Sequence, residues 1–98
     1  MKITWTPESI ETFEQIIEIL NIYLTQKEIK KFIDKTDKTI NLIQNNPFLY
    51  KASVKNKQVR KGFINKLVSM FYIVDAKKNE IQILSFWNNR QDPQKLKL

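Results

Sequence analysis

The chain opens with an alternation of apolar and polar positions, Ile3 and Trp5 standing between Lys2, Thr4 and Thr6. A period of two is that of a half-buried strand, and a short first strand is predicted here. The period then lengthens. Ile10, Phe13, Ile17, Leu20 and Leu24 recur at three- and four-residue spacing with Ile16 and Tyr23 on their flanks, which predicts a helix with one broad apolar face and an acidic outer face. Thr6 is placed to cap it, Pro7 to occupy its first turn, and Glu8 and Glu11 to meet the positive end of its dipole. Thr25-Gln26-Lys27-Glu28 has the spacing of a capping box, so a second helix begins at once, with Ile29, Phe32, Ile33, Thr36, Ile40 and Ile43 as its inner stripe. Asn45-Asn46-Pro47 ends it, because Pro47 has no N–H to donate and pushes Asn46 out of the α region. Two helices joined by so short a link form an antiparallel hairpin.

Beyond Pro47 the period of two returns. Lys57 to Ile64 is predicted as a strand in which Gly62 marks a bulge or a close approach, and Leu67 to Val74 as a strand apolar at nearly every position. Asp75-Ala76-Lys77-Lys78-Asn79 has the composition of a hairpin loop, and Glu80 to Trp87 returns as the last strand. The order strand, helix hairpin, three-stranded antiparallel meander predicts an α+β fold with the helices on one face of a curved sheet, in a single domain spanning residues 1–98. The strand from Leu67 has apolar residues on both faces: Leu67, Phe71 and Ile73 on one, Val68, Met70, Tyr72 and Val74 on the other. One helix hairpin covers one face only. The second face needs its own cover, supplied by the C-terminal tail, where Leu96 and Leu98 stand, or by a partner chain.

Charge adds a direction to this picture. Residues 48–98 carry eleven Lys and Arg against three acidic side chains, while the first 47 residues carry six and seven, so the formal charge of +7 arises wholly in the second part. A patch of this sign attracts phosphate backbones or an acidic protein segment. The mixed charges of the second helix, Lys27, Lys30, Lys31, Lys35 and Lys38 among Glu28, Asp34 and Asp37, read as a solvated face. The chain has no Cys and no His, which removes thiolate nucleophiles, disulfides, the usual metal ligands and the side chain best suited to proton transfer near neutrality. No metal and no cofactor are expected. No run of about 18 apolar residues is present to span a bilayer, no signal-peptide pattern opens the chain, and a cytoplasmic protein without membrane contact is expected.

Several residues, taken in order, carry a family likeness. Trp5 lies in the first strand, Asn46-Pro47-Phe48 follows the helix hairpin, and Val59-Arg60-Lys61 starts the meander; Phe71-Tyr72 lies in the next strand and Phe86-Trp87-Asn88-Asn89-Arg90-Gln91-Asp92-Pro93 closes it. In this set the chain resembles the RelE/ParE superfamily of type II toxin–antitoxin toxins, the plasmid stabilisation proteins, over nearly its whole length. The resemblance implies a small bacterial toxin held inactive by a cognate acidic antitoxin. It implies one of two activities, ribosome-dependent cleavage of mRNA or inhibition of DNA gyrase without chemistry of its own, and it does not choose between them. The alternative from another class is a non-toxic, basic nucleic-acid-binding or interaction module, although no RNP-type, KH-type or helix-turn-helix signature is present.

For the cleaving activity the resemblance implies Arg60 as the residue that holds the scissile phosphate and Arg90 as its cationic partner, with Tyr72 as a candidate for proton transfer. Lys51, Lys55, Lys57, Lys61 and Lys66 are further candidates for that role, too many to form a constellation. Lys57, Arg60, Lys61, Lys66, Trp87 and Arg90 form the expected nucleic-acid-binding set, and Met70, Tyr72, Phe86 and Trp87 the expected partner-binding set. Each has a plainer reading beside this: Arg60 as a solvated strand arginine, Tyr72 as core, Trp87 as core or as an interface anchor. Trp87 stands where many relatives carry His or a small polar residue, and Ile73 where a basic residue is common. Both departures weigh against RNA cleavage.

Overall fold

A computed structural model of the chain describes residues 1–90. In order, it contains β1 (Lys2–Trp5), α1 (Pro7–Tyr23), α2 (Gln26–Asn45), β2 (Val59–Phe63), β3 (Val68–Asp75) and β4 (Glu80–Asn88). The proposed docking of Leu96 and Leu98 lies outside the described residues.

The helix ends follow from their caps. The Thr6 hydroxyl accepts from the Ser9 N–H at 3.2 Å and donates to the Ile83 carbonyl at 2.8 Å, so the α1 cap also ties that helix to β4. At α2 both halves of the capping box form, Glu28 N–H to the Thr25 hydroxyl at 3.2 Å and Thr25 N–H to the Glu28 carboxylate at 3.1 Å. Asn46 closes α2 ahead of Pro47, as the sequence requires.

The four strands form one sheet in the order β1-β4-β3-β2. The β2-β3 and β3-β4 pairs are antiparallel, while β1 lies parallel to β4 with Ile3 beside Ile81. The chain between them runs through both helices and then β2 and β3, which is length enough for a parallel pairing. Phe71 pairs with Ser85 and Tyr72 with Ile83, which leaves Leu84 as the extra residue of a bulge that bends the sheet. Gly62 pairs in register with Met70 and is not a bulge; a Cβ there would stand 3.4 Å from Ile43 Cδ1 and from the Tyr50 ring, so it is a point of close approach. Predicted β2 is shorter than expected, since Lys57 and Gln58 belong to a turn.

Ile16, Phe32, Ile40 and Ile43 from the helices meet Val68, Met70, Tyr72, Ile81, Ile83 and Phe86 from the sheet in one buried core. An aromatic cluster seals one end of it: the Phe86 ring centroid lies 5.3 Å from that of Trp5 and 4.9 Å from that of Phe13.

Candidate functional site

Strand register decides which candidate side chains meet. Paired residues of antiparallel strands share a face and successive residues alternate. Tyr72 faces the helices and pairs with Arg60, and Met70 faces the helices and pairs with Phe86. Lys61, Phe63, Ser69, Phe71 and Trp87 therefore occupy the opposite face, open at Lys61, Phe63 and Trp87 and closed over Ser69 and Phe71, with Lys61 paired to Phe71, and Ser69 to both Phe63 and Trp87.

Arg60 leans towards the segment that follows α2. Its Nη1 donates to the Tyr50 carbonyl at 2.6 Å and its guanidinium lies 4.8 Å from the centre of the Phe48 ring, so the side chain is half-buried and held. With Lys57 and Lys77 it lines a hollow beside the β3-β4 loop that also contains Phe48 and Asp75. Lys61, its neighbour in sequence, turns to the open face and lies over rings, with Nζ 5.3 Å from the Phe63 centroid and 6.0 Å from that of Phe71.

Tyr72 is wholly buried and its hydroxyl donates to the Pro47 carbonyl at 3.0 Å. Burial pushes its pKa up, and the opposing influences of the Arg60 charge and of a backbone hydrogen bond at Tyr50 offset this only in part. A tyrosine so placed is a neutral donor already engaged and shielded from substrate. This environment gives the expectation of a catalytic Tyr72 no support. Of the expected partner-binding set, Met70, Tyr72 and Phe86 are 1%, 0% and 3% exposed and lie beneath the helices. Trp87 alone of that set is half-exposed on the open face.

Arg60 and Arg90, expected to converge, lie towards opposite ends of β3. Arg60 pairs with Tyr72 at one end of β3, whereas Arg90 follows Asn88, which pairs with Val68 at the other end. The step of four positions from Val68 to Tyr72 corresponds to roughly 13 Å of strand. Arg90 lines a separate groove with Ile16, Ile19 and Tyr23 of α1. Lys66 lies in the β2-β3 turn, where Asn89 Nδ2 donates to its carbonyl at 3.1 Å.

No protein-family model matches the chain, and no curated protein matches it. Solved structures do match. The chromosomal ParDE toxin–antitoxin system from P. aeruginosa contains a chain with a TM-score of 0.74 at 17% identity, over 90% of this chain and 95% of that one. The YoeB/ParE toxin from Agrobacterium tumefaciens gives 0.67 at 15% identity over 91% and 99%. The YoeB dimer from Staphylococcus aureus gives 0.61 at 23% identity over 87% and 92%. This chain has the RelE/ParE toxin fold.

Within that fold the candidate cations are dispersed. Arg60 and Lys57 share one hollow, Lys61 and Trp87 share the open face, and Lys66 and Arg90 lie towards the far end of β3. The open face contains residues that belong to none of the site sets expected from the sequence. Phe63 and Phe71 form the ring floor beneath Lys61. Asn89 is a latch: it accepts from the Ser69 hydroxyl at 2.7 Å, and its backbone N–H donates to the Leu67 carbonyl at 2.7 Å. The signal for Asn89 was its place directly after the apolar strand, where a side-chain amide closes a turn. No group of three or more potential metal ligands occurs among the described residues, and none of the described helices is long and apolar enough to cross a membrane.

Proposed function

We propose that the chain is the toxin of a type II toxin–antitoxin system, that an acidic antitoxin segment neutralises it in the cytoplasm, and that it acts by binding DNA gyrase instead of cleaving RNA. The observation that carries this reading is the likeness to a chain of the ParDE system over nine-tenths of the molecule. Neutralisation by a partner has support from a second neighbour, the heterotetrameric YoeB-YefM toxin–antitoxin complex from Staphylococcus aureus, with a TM-score of 0.58 at 22% identity. The one-sided basic charge and the open sheet face fit an acidic partner.

Dispersal of the candidate groups supports a non-cleaving mode. Cleavage by 2'-hydroxyl attack needs a base, an acid and a charge stabiliser around one phosphate. Arg60 is tied to the Tyr50 carbonyl, Tyr72 is sealed in the core, Arg90 lies at the far end of β3, and the chain has no His. A second reading, ribosome-dependent mRNA cleavage, draws support from Lys61 and Trp87 sharing the open face, where an aromatic ring and a cation suit a single-stranded base and its phosphate.

Induction of the chain in a bacterial host, together with a supercoiling assay on purified gyrase, tests the reading. The expected outcome is growth arrest and inhibited supercoiling. Unimpaired growth would favour a non-toxic module, and arrest with supercoiling intact would favour the ribosome.

A further inference from the structure

We propose that residues 91–98 fold back as a strap into the groove between the last turns of α1 and the β2-β3 turn, with Leu96 and Leu98 seated in the groove and Lys95 and Lys97 directed to the acidic side of α1. The groove has a volume of about 480 Å³. Ile16 and Val68 are buried at its base, and Ile19, Tyr23 and Leu67 flank it with 42%, 78% and 40% of their surfaces exposed. Past Leu24 and Leu67 it continues as far as Phe32. Large apolar side chains gathered along one furrow call for an apolar occupant.

The course of the chain brings that occupant. α1 and β4 run in the same direction and are tied at two levels: Thr6 Oγ1 donates to the Ile83 carbonyl at 2.8 Å and, further along, the Phe86 N–H donates to Thr12 Oγ1 at 2.9 Å. At the next level Asn88 and Arg90 line the groove together with Ile19 and Tyr23, so the chain beyond Arg90 leaves from the groove itself. In the sequence that follows, Asp92-Pro93 favours a turn, and Lys95-Leu96-Lys97-Leu98 alternates, which puts both leucines on one side of an extended segment. Five residues separate Arg90 from Leu96. So short a tether holds the leucines at the groove at an effective concentration on the order of millimolar, ahead of a second copy of the chain in dilute solution.

Charge favours the same course. α1 carries Glu8, Glu11, Glu14 and Glu18 and no Lys or Arg, and its last turn has no basic residue to meet the negative end of the helix dipole. Lys95 and Lys97 supply that cation. An acidic partner is repelled from this side of the molecule by the same glutamates. A tail docked here leaves the face with Lys61 and Trp87 uncovered. The inference rests on the groove and on the sequence beyond it, and holds whether or not the chain is a toxin.

The test uses the full chain, uniformly isotope-labelled, in solution. Expected are nuclear Overhauser contacts from the Leu96 and Leu98 methyl groups to Ile19, Tyr23 and Leu67, unchanged on dilution and lost in Ile19→Asp. Ile19 is exposed, so the remaining spectrum of that variant verifies that the fold is kept. The Asn89 N–H closes the end of β4 on the Leu67 carbonyl. It is expected to exchange with solvent at least about tenfold faster when Leu96 and Leu98 are both replaced by Ser, the factor that burial of one leucine side chain supplies. Contacts from the two leucines to Phe63 or Trp87 on the open face, contacts that arise only between differently labelled copies in a mixed sample, contacts to no surface at all, or an Asn89 exchange rate unmoved by the double substitution would each overturn the proposal.

Discussion

Arg60 Nη1 donates to the Tyr50 carbonyl at 2.6 Å, tying β2 to the segment that leaves α2. The same guanidinium covers the Phe48 ring. A hydrogen bond from a charged donor and a cation–π contact together make this arginine a structural tie. Replacing Arg60 by Ala is expected to lower stability by about 1–3 kcal/mol. Lys, which lacks the planar fork, is expected to recover only part of that. Urea unfolding of the two variants checks both values.

Tyr72 gives a test that separates structure from chemistry. Phe at this position removes the bond to the Pro47 carbonyl and is expected to cost about 1 kcal/mol while growth arrest persists. Loss of arrest in a variant that stays folded would restore the tyrosine to a catalytic role.

The same residue sets an alkaline limit. Its pKa is raised in the folded state, so the native chain holds the proton after the unfolded chain has released it. The stabilising contribution is full below the ordinary tyrosine value near about 10 and declines as pH rises above that value towards the folded pKa. Unfolding free energies measured from neutral to strongly alkaline pH are expected to fall less steeply in Tyr72→Phe than in the parent.

Asn89 joins the end of β4 to the β2-β3 turn through Ser69, Leu67 and Lys66. Asn89→Ala is expected to destabilise by about 1–3 kcal/mol, because the buried Ser69 hydroxyl loses its acceptor, and Ser69→Ala less, because it removes donor and need together. A double-mutant cycle on thermal unfolding measures the coupling.

Much of this architecture is legible in the sequence, and the reason is local. The capping box at Thr25, the three- and four-residue spacing of apolar positions and the stop at Pro47 each act within one helix, and α2 ends where they require. What stayed hidden depends on pairing between distant strands. A strand apolar on both sides does not reveal which side the helices take, so Met70 and Phe86 were read as partner contacts and lie in the core. Nor does it reveal register: Arg60 and Arg90 belong near each other only if β2 and β4 meet at those residues, and the pairing through Tyr72 and Val68 separates them. The segment 48–58 has no period of its own, and its attachment through Ala52 was silent in the sequence.

On the open face, charge reversal at Lys61 tests whether a target is met there. Lys61→Glu is expected to abolish growth arrest with little change in melting temperature, since the lysine is half-exposed, and Lys61→Arg to retain it. Growth curves on induction, paired with melting curves of the purified variants, check this.

The central claim is that the chain arrests growth without cutting RNA. Mapping of mRNA 5' ends in cells arrested by its induction tests it most directly. The expected result is an unaltered pattern of ends in cells that have stopped dividing; new ends at codon-spaced positions within translated messages, lost when Arg60 or Arg90 becomes Ala, would contradict it.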